Sequence, residues 1–262
     1  MRSPGSAGRR RRRITTLRWI GAIEDIVLGR CCALCGEPLY IHRTRPSQIC
    51  RKCTGGLYRV HLAYESAVCA ICGRPLLSEH GTCTSCRKSE QTPAFDSHRA
   101  ALEYRAGGES LIAAFKMRGH RAVVRLAADL VIETISEGTL GGHEHSTQAV
   151  CVPVPSGSRS AKRRDVQPVY LLAGEIARSR GMAVQHLLAR VGKGLDQKKL
   201  GRKERTRNVA GMFAFCGSMS AVPPVVWLID DVYTTGATVS ECAKVLKEAG
   251  VKQVHVRTLA MD

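Results

Sequence analysis

A chain of 262 residues with 44% hydrophobic content can bury one full domain core with a smaller module beside it, so it is neither a peptide nor a disordered chain. Its net charge of +18 points to anionic partners, either phosphates or nucleic acid. Twelve cysteines argue for metal rather than disulfides if the protein resides in the cytoplasm.

Arg9 to Arg13 form an unbroken cationic run, read either as a solvated disordered tail over residues 1–13 or as an arm that binds DNA. Residues 14–30 follow with Leu17, Ile20, Ile23 and Val27 at helical spacing, a short amphipathic helix. Arg18, Glu24 and Asp25 exclude a secretory h-region or a membrane span there. No other long apolar run occurs, so a cytoplasmic protein without membrane insertion is expected.

Residues 31–90 carry four Cys-x-x-Cys pairs: Cys32/Cys35, Cys50/Cys53, Cys69/Cys72 and Cys83/Cys86. A two-residue spacing brings two thiolates onto one tetrahedral ion, and two such pairs complete it. Cys32-Ala-Leu-Cys35-Gly36-Glu37-Pro38-Leu39 repeats as Cys69-Ala-Ile-Cys72-Gly73-Arg74-Pro75-Leu76. The duplication predicts two structural zinc ribbons in tandem, the first four cysteines on one ion and the last four on another. A cross-brace pairing and a set of redox dithiols are the alternatives. Gly36 and Gly73 sit where a knuckle needs positive φ. Cys31, Cys151, Cys216 and Cys242 fall outside the pattern, and Cys151 and Cys242 read as ordinary buried thiols. His42, Arg43, Arg45, Arg51 and Lys52 make the first ribbon basic.

Residues 91–262 alternate strands and helices, which predicts an α/β domain with a doubly wound parallel sheet. Strands are expected at 98–104, 149–154, 184–188 and 254–260, and helices at 110–116, 123–136 and 166–180. Gly138 to Thr147 reads as a loop, with His143 and His145 on its surface. The strand ending Val152-Pro153-Val154-Pro155 runs into Ser156, Gly157, Ser158 and Arg159, a small and basic loop suited to a polyanion. Lys193 to Arg207 form a second basic cluster, including Arg205 and Arg207, which either closes over an anion or is a solvated face.

The strongest signal is Val225-Val226-Trp227-Leu228-Ile229, a buried parallel strand, followed by Asp230-Asp231, then Thr234-Thr235-Gly236-Ala237-Thr238 and an amphipathic helix from about Val239. Two carboxylates can accept hydrogen bonds from a vicinal diol. The loop and the helix N-terminus offer N–H groups to a phosphate.

These residues resemble the phosphoribosyl-pyrophosphate (PRPP) motif of type I phosphoribosyltransferases. With the Cys pairs, Phe115-Lys116-Met117-Arg118-Gly119, Val152 to Pro155, and Gln197, Leu200, Arg205, Arg207 and Asn208, the chain resembles the ComF/GntX family of competence and DNA-utilisation proteins. The resemblance implies a type I phosphoribosyltransferase-like sheet behind a double zinc ribbon. Asp230 and Asp231 would hold ribose, Thr234 to Thr238 the 5′-phosphate, and Ser156 to Arg159 the pyrophosphate. Mg2+ would accompany PRPP, and Arg159, Arg205 and Arg207 would neutralise the leaving group. The implied function is phosphoribosyl transfer in DNA uptake. The alternative is a non-catalytic factor that binds single-stranded DNA or docks on a helicase-like competence protein. The sequence departs from the family at Arg164-Asp165-Val166-Gln167-Pro168, where Arg-Gly-aromatic-Asn-Gln is usual. Low aromatic content, 5%, weighs against base stacking as the main mode of DNA contact.

Overall fold

The computed structural model describes residues 31–39, 49–62, 68–76, 80–89, 92–118, 121–134, 149–156, 167–192 and 209–262. The readings for residues 1–30, for His42, Arg43, Arg45, His143 and His145, for Gly157, Ser158 and Arg159, and for the basic cluster with Arg205 and Arg207 lie outside them.

The two Cys-rich repeats come first, with helix α1 (Arg51–Leu62) in the first and the single-turn α2 (Thr84–Arg87) in the second. The α/β domain follows in the order β1 (Ser97–Glu103), a π-turn (Tyr104–Gly108), α3 (Glu109–Arg118), α4 (Arg121–Glu133), β2 (Ala149–Pro153) and α5 (Pro168–Arg180). It continues through β3 (Ala183–Val184), β4 (Leu188–Arg190), β5 (Phe213–Phe215), β6 (Val225–Tyr233), α6 (Ala237–Glu248) and β7 (Gln253–Met261). A five-stranded sheet has the order β1-β7-β6-β2-β3 with every pairing parallel. This is the doubly wound parallel sheet expected of residues 91–262.

Both faces of the sheet are covered, which is why β2 and the Val225–Ile229 part of β6 are apolar throughout rather than alternating. One face packs Trp227, Ile229 and Leu259 against α3, α4 and α5. The other packs Val226, Leu228, Val254 and Val256 against Val239, Cys242, Ala243 and Leu246 of α6. The two repeats divide between these faces. Cys32, Ala33, Ile49 and Leu57 join the core under α3 to α5, whereas Cys69, Cys72 and Cys83 join the core under α6. A duplicated sequence thus occupies two non-equivalent places.

Several elements differ from expectation. The predicted strand at 184–188 is two separate strands. Ala183–Val184 closes the parallel sheet, and Leu188–Arg190 forms an antiparallel ribbon with Phe213–Phe215. The strand carrying the acidic pair does not end at the acids but continues to Tyr233. The following helix starts at Ala237, so Thr238 lies in its first turn rather than in the loop.

Gly36 and Gly73 both have positive φ, at 77° and 67°. A Cβ on Gly36 would meet open space, whereas one on Gly73 would overlap the carbonyl of His98 on β1. Gly36→Ala should therefore cost about 1 kcal/mol of left-handed strain. Gly73→Ala should cost about 1–3 kcal/mol more, because backbone must move to relieve the overlap. Thermal unfolding of the two variants checks this, and equal midpoints would refute the asymmetry between the repeats.

Candidate functional site

The site lies where the sheet opens. β2 pairs with β6 only as far as Pro153↔Ile229, with Val154 N donating to Ile229 O at 2.9 Å as the last contact. Proline has no N–H to extend the ladder, and both Pro153 and Pro155 stand here. β6 and β7 stay paired to Tyr233↔Met261. Among the described residues, Asp230 to Tyr233 therefore have a strand on one side only. The crossovers from β2 and β6 also leave in opposite directions, one through α5 to β3 and the other through α6 to β7. That makes this crevice the topological switch point, where open α/β sheets take ligands at the strands' carboxyl ends.

Asp230 and Asp231 stand in the crevice. The Asp231 N–H donates to Asp230 Oδ1 at 2.8 Å, and Lys116 Nζ pairs with Asp231 Oδ2 at 2.9 Å. Burial, followed by the like charge of Asp231, pushes the Asp230 carboxyl up to about 8, against a smaller pull from Lys116. In this environment Asp230 holds its proton at neutral pH. A diol or cation that favours the carboxylate would release it. Lys116 comes from α3, which the sequence reading included in a family stretch without giving it a role. An ion pair that spans 115 positions leaves no local trace.

Tyr233 leads into the Thr234–Gly236 turn. Gly236 has φ 77° and precedes α6, and a Cβ there would overlap the Tyr233 hydroxyl, so only glycine fits. The Ala237 N–H donates to Thr235 Oγ1 at 3.3 Å. The positive end of the helix dipole and the threonine hydroxyls make this turn suited to an anion. From the second loop the structure describes Ser156, whose hydroxyl donates to Gln167 Oε1 at 2.8 Å. This bond to Gln167 braces Ser156 at the start of the loop.

The structure joins Asp230, Asp231 and the Thr234–Thr238 segment, with Ser156 following the adjacent strand. The cysteines form two separate groups, each made of sequential pairs. Cys32, Cys35, Cys50 and Cys53 have all their sulfurs within 4.8 Å of one another, as do Cys69, Cys72, Cys83 and Cys86. Sulfurs about 2.3 Å from a tetrahedral zinc stand about 3.8 Å apart. The contacts Cys32–Cys53 at 3.9 Å, Cys35–Cys50 at 3.8 Å and Cys72–Cys83 at 3.7 Å fit that edge. Both groups can hold zinc, and a cross-brace would need cysteines from opposite faces of the sheet.

The duplication holds bond by bond. Cys32 N donates to Glu37 O and Cys69 N to Arg74 O, both at 2.7 Å. Cys50 N donates to Cys32 Sγ and Cys83 N to Cys69 Sγ, both at 3.3 Å. In each repeat the second cysteine pair sits at a helix start rather than in a second glycine knuckle. Burial pushes Cys32 and Cys69 up, but backbone N–H donors outweigh it and bring them down to about 6 and about 7. Burial raises Cys72 to about 11, and burial with neighbouring thiols raises Cys53 and Cys86. Each group thus favours one thiolate, while Cys53 in the first and Cys72 and Cys86 in the second hold their protons until a cation relieves the repulsion. Cys151 and Cys242 are fully buried thiols raised by burial, as expected of inert core cysteines.

Two outcomes follow. The intact chain should carry two zinc ions, and Cys32→Ser or Cys69→Ser should lower this to about one. Uptake should release protons and strengthen as pH rises. Elemental analysis and proton-release titration read both, and unchanged zinc in either variant would rule out that site. The second outcome concerns Asp230. Its folded value, about 8, lies above the ordinary 3.8. Its contribution to stability is therefore present at low pH and lost as pH climbs through that window. Asp230→Asn should gain several degrees in Tm over the native chain between about pH 5 and about pH 9. A pH-independent difference would show that Asp230 ionises normally.

A scan against protein-family models finds no match. Among curated proteins, the chain is 28% identical over 194 residues to competence protein F of Haemophilus influenzae, covering 73% of this chain and 83% of the relative. It is 26% identical over 208 residues to competence protein ComFC of Bacillus subtilis, covering 78% and 79%. It is 26% identical over 237 residues to competence protein ComFC of Streptococcus pneumoniae, covering 87% and 98%. Among solved structures, the allosteric regulatory enzyme of purine biosynthesis matches at TM-score 0.30 and 20% identity over 52% of this chain and 25% of that one. The chain is thus similar over most of its length to three competence proteins of the ComF/ComFC type.

Proposed function

We propose that the protein binds PRPP with Mg2+ in the switch-point crevice and transfers its phosphoribosyl group to an acceptor nucleophile, as part of DNA uptake in competence. The observation that carries this is the unbroken run from Asp230-Asp231, at the open end of β6, into the Thr234–Gly236 turn and the N-terminus of α6. Ribose hydroxyls would donate to the two carboxylates, while the turn and the first turn of α6 would take the 5′-phosphate. Bound Mg2+, a hard cation that prefers oxygen ligands, would offset the charge of the pyrophosphate.

The bond from C1 to the pyrophosphate oxygen would break, with its electron pair leaving on that oxygen. The acceptor's lone pair would then form the new bond to C1. The protein's part is electrostatic. Lys116 holds Asp231 in place and Ser156 is braced by Gln167, while Arg159, Arg205 and Arg207, the cations expected from the sequence, would neutralise the leaving group. No covalent nucleophile is required.

The competence names of the relatives and the charge of +18 support a link to DNA handling. Single-stranded DNA and a helicase-like competence protein are the partners proposed. Among the described residues no helix is long and apolar enough to cross a membrane.

Calorimetric titration with PRPP and Mg2+ tests the site. Asp230→Asn combined with Asp231→Asn should abolish binding, while zinc content and folding stay intact. Unchanged affinity in the double variant would reject the ribose assignment. Failure of the native chain to bind PRPP would leave the fold as a scaffold for DNA and protein contacts.

A further inference from the structure

The second Cys repeat does more than precede the domain. A cleft of about 220 Å³ lies between it and the Thr turn, with Cys72, Arg74 and Cys86 on one wall and Thr234, Thr235 and Gly236 on the other. The first repeat is on the opposite face of the sheet, under α3 to α5. The duplicated segments match closely, yet the residue after the knuckle glycine is Glu37 in the first and Arg74 in the second. A cation therefore stands in the repeat that faces the turn, and an acid in the repeat that does not.

Arg74 is held beside the turn by a short chain of contacts. Its Nη2 donates to Asp262 O at 3.2 Å, and Asp262 N donates to Tyr233 O at 2.9 Å. Tyr233 is the residue before Thr234. A guanidinium has five N–H donors in a planar fork matched to a phosphate, so the bond to Asp262 uses only part of it.

The wall itself is fixed by His98, which is fully buried in β1. Its Nδ1 lies 2.6 Å from Cys72 O and its Nε2 lies 2.9 Å from Thr258 Oγ1. The carbonyl can only accept, so Nδ1 carries the proton and Nε2 accepts from the threonine hydroxyl. The ring stacks on Tyr233 with centroids 4.0 Å apart, and Thr258 is the cross-strand partner of Asp230. One imidazole thus ties the backbone of a cysteine in the second group to the residue that starts the turn and to the strand neighbour of the acidic pair.

We infer that the second four-cysteine module forms one wall of the anion cleft and that Arg74 is an anion-binding residue, paired with the phosphate group held by the Thr234–Gly236 turn. This rests on the proposed phosphate role of that turn. It predicts that the two repeats, alike in metal chemistry, differ in their effect on ligand.

The test is calorimetric titration of the full, zinc-loaded chain with PRPP and Mg2+, and separately with inorganic phosphate and pyrophosphate. The native chain is compared with Arg74→Glu, Arg74→Met, Arg74→Lys and, at the equivalent position of the first repeat, Glu37→Arg. Loss of one charge-assisted phosphate contact should weaken binding about tenfold or more in Arg74→Glu and Arg74→Met. Arg74→Lys should recover part of it, and Glu37→Arg should behave as the native chain. All should retain two zinc ions by elemental analysis.

Native affinity in Arg74→Met and Arg74→Glu would overturn the inference, as would a change in Glu37→Arg as large as that at Arg74. A native chain that takes inorganic phosphate with the same Arg74 dependence, but not PRPP, would sink the ribose reading and uphold the cleft. A chain that takes none of the three probes would overturn both.

Discussion

The site depends on one strand continuing after its neighbour has stopped. β2 leaves the ladder at Pro153, and β6 runs on to Tyr233 with, among the described residues, β7 alone beside it. Had β2 been longer, its backbone would fill the space in front of Asp230 and Asp231, and the sheet would have no crevice. Had β6 ended at the acids, the Thr turn would no longer be held in line with them. A proline at the end of one strand and continued pairing of the next thus create an open, polar end on a sheet whose faces are covered. Both faces of that sheet are covered by helices, so the crevice at the strand ends is where a polar ligand can meet backbone N–H groups and carboxylates together.

The cysteine repeats show how one sequence pattern acquires two roles from its position. Their hydrogen bonds coincide down to the sulfur acceptors. What differs is what each presses against. Gly73 packs so closely on His98 that a Cβ would overlap its carbonyl, while Gly36 faces open space. Each repeat is too small to bury a core of its own, so a bound metal ion would supply much of its folding free energy. In the second repeat that free energy would also hold the hydrogen bond from His98 to Cys72 O, and through it the packing beneath Tyr233. Burial pushes the His98 ring down to about 3, so it stays neutral and keeps this donor–acceptor arrangement at any pH at which the protein works.

Much of this was legible in the sequence where the signal is local. The unbroken apolar run 225–229, the acidic pair, the Thr-Thr-Gly turn and the duplicated Cys pairs each specify their own geometry, and Gly36, Gly73 and Gly236 have the positive φ that their places require. Short elements were less legible. A ribbon of three-residue strands such as Leu188–Arg190 with Phe213–Phe215 is too brief to show a period of two, so the stretch 184–188 read as one strand. The Cys50-x-x-Cys53 spacing suits a turn and the start of a helix equally well, which concealed α1. Contacts between distant positions left no trace at all. Lys116 reaches Asp231 from α3, and His98 meets Cys72 and Thr258, only because the sheet order β1-β7-β6 brings their elements together.

The electrostatics of the crevice follow from this burial. Two adjacent carboxylates at the mouth of an apolar sheet cannot both ionise cheaply, and the fold resolves the conflict unequally. Asp231 is matched by Lys116, while Asp230, more deeply placed, retains its proton up to about pH 8. The fold thus holds a carboxyl away from its preferred ionised form, and any group favouring the carboxylate will relax it. A ligand that brings hydroxyl donors and a cation replaces the water lost on burial with fixed partners, and in doing so releases the proton. Part of the free energy with which such a ligand would bind is therefore stored in the fold itself, in the burial of Asp230.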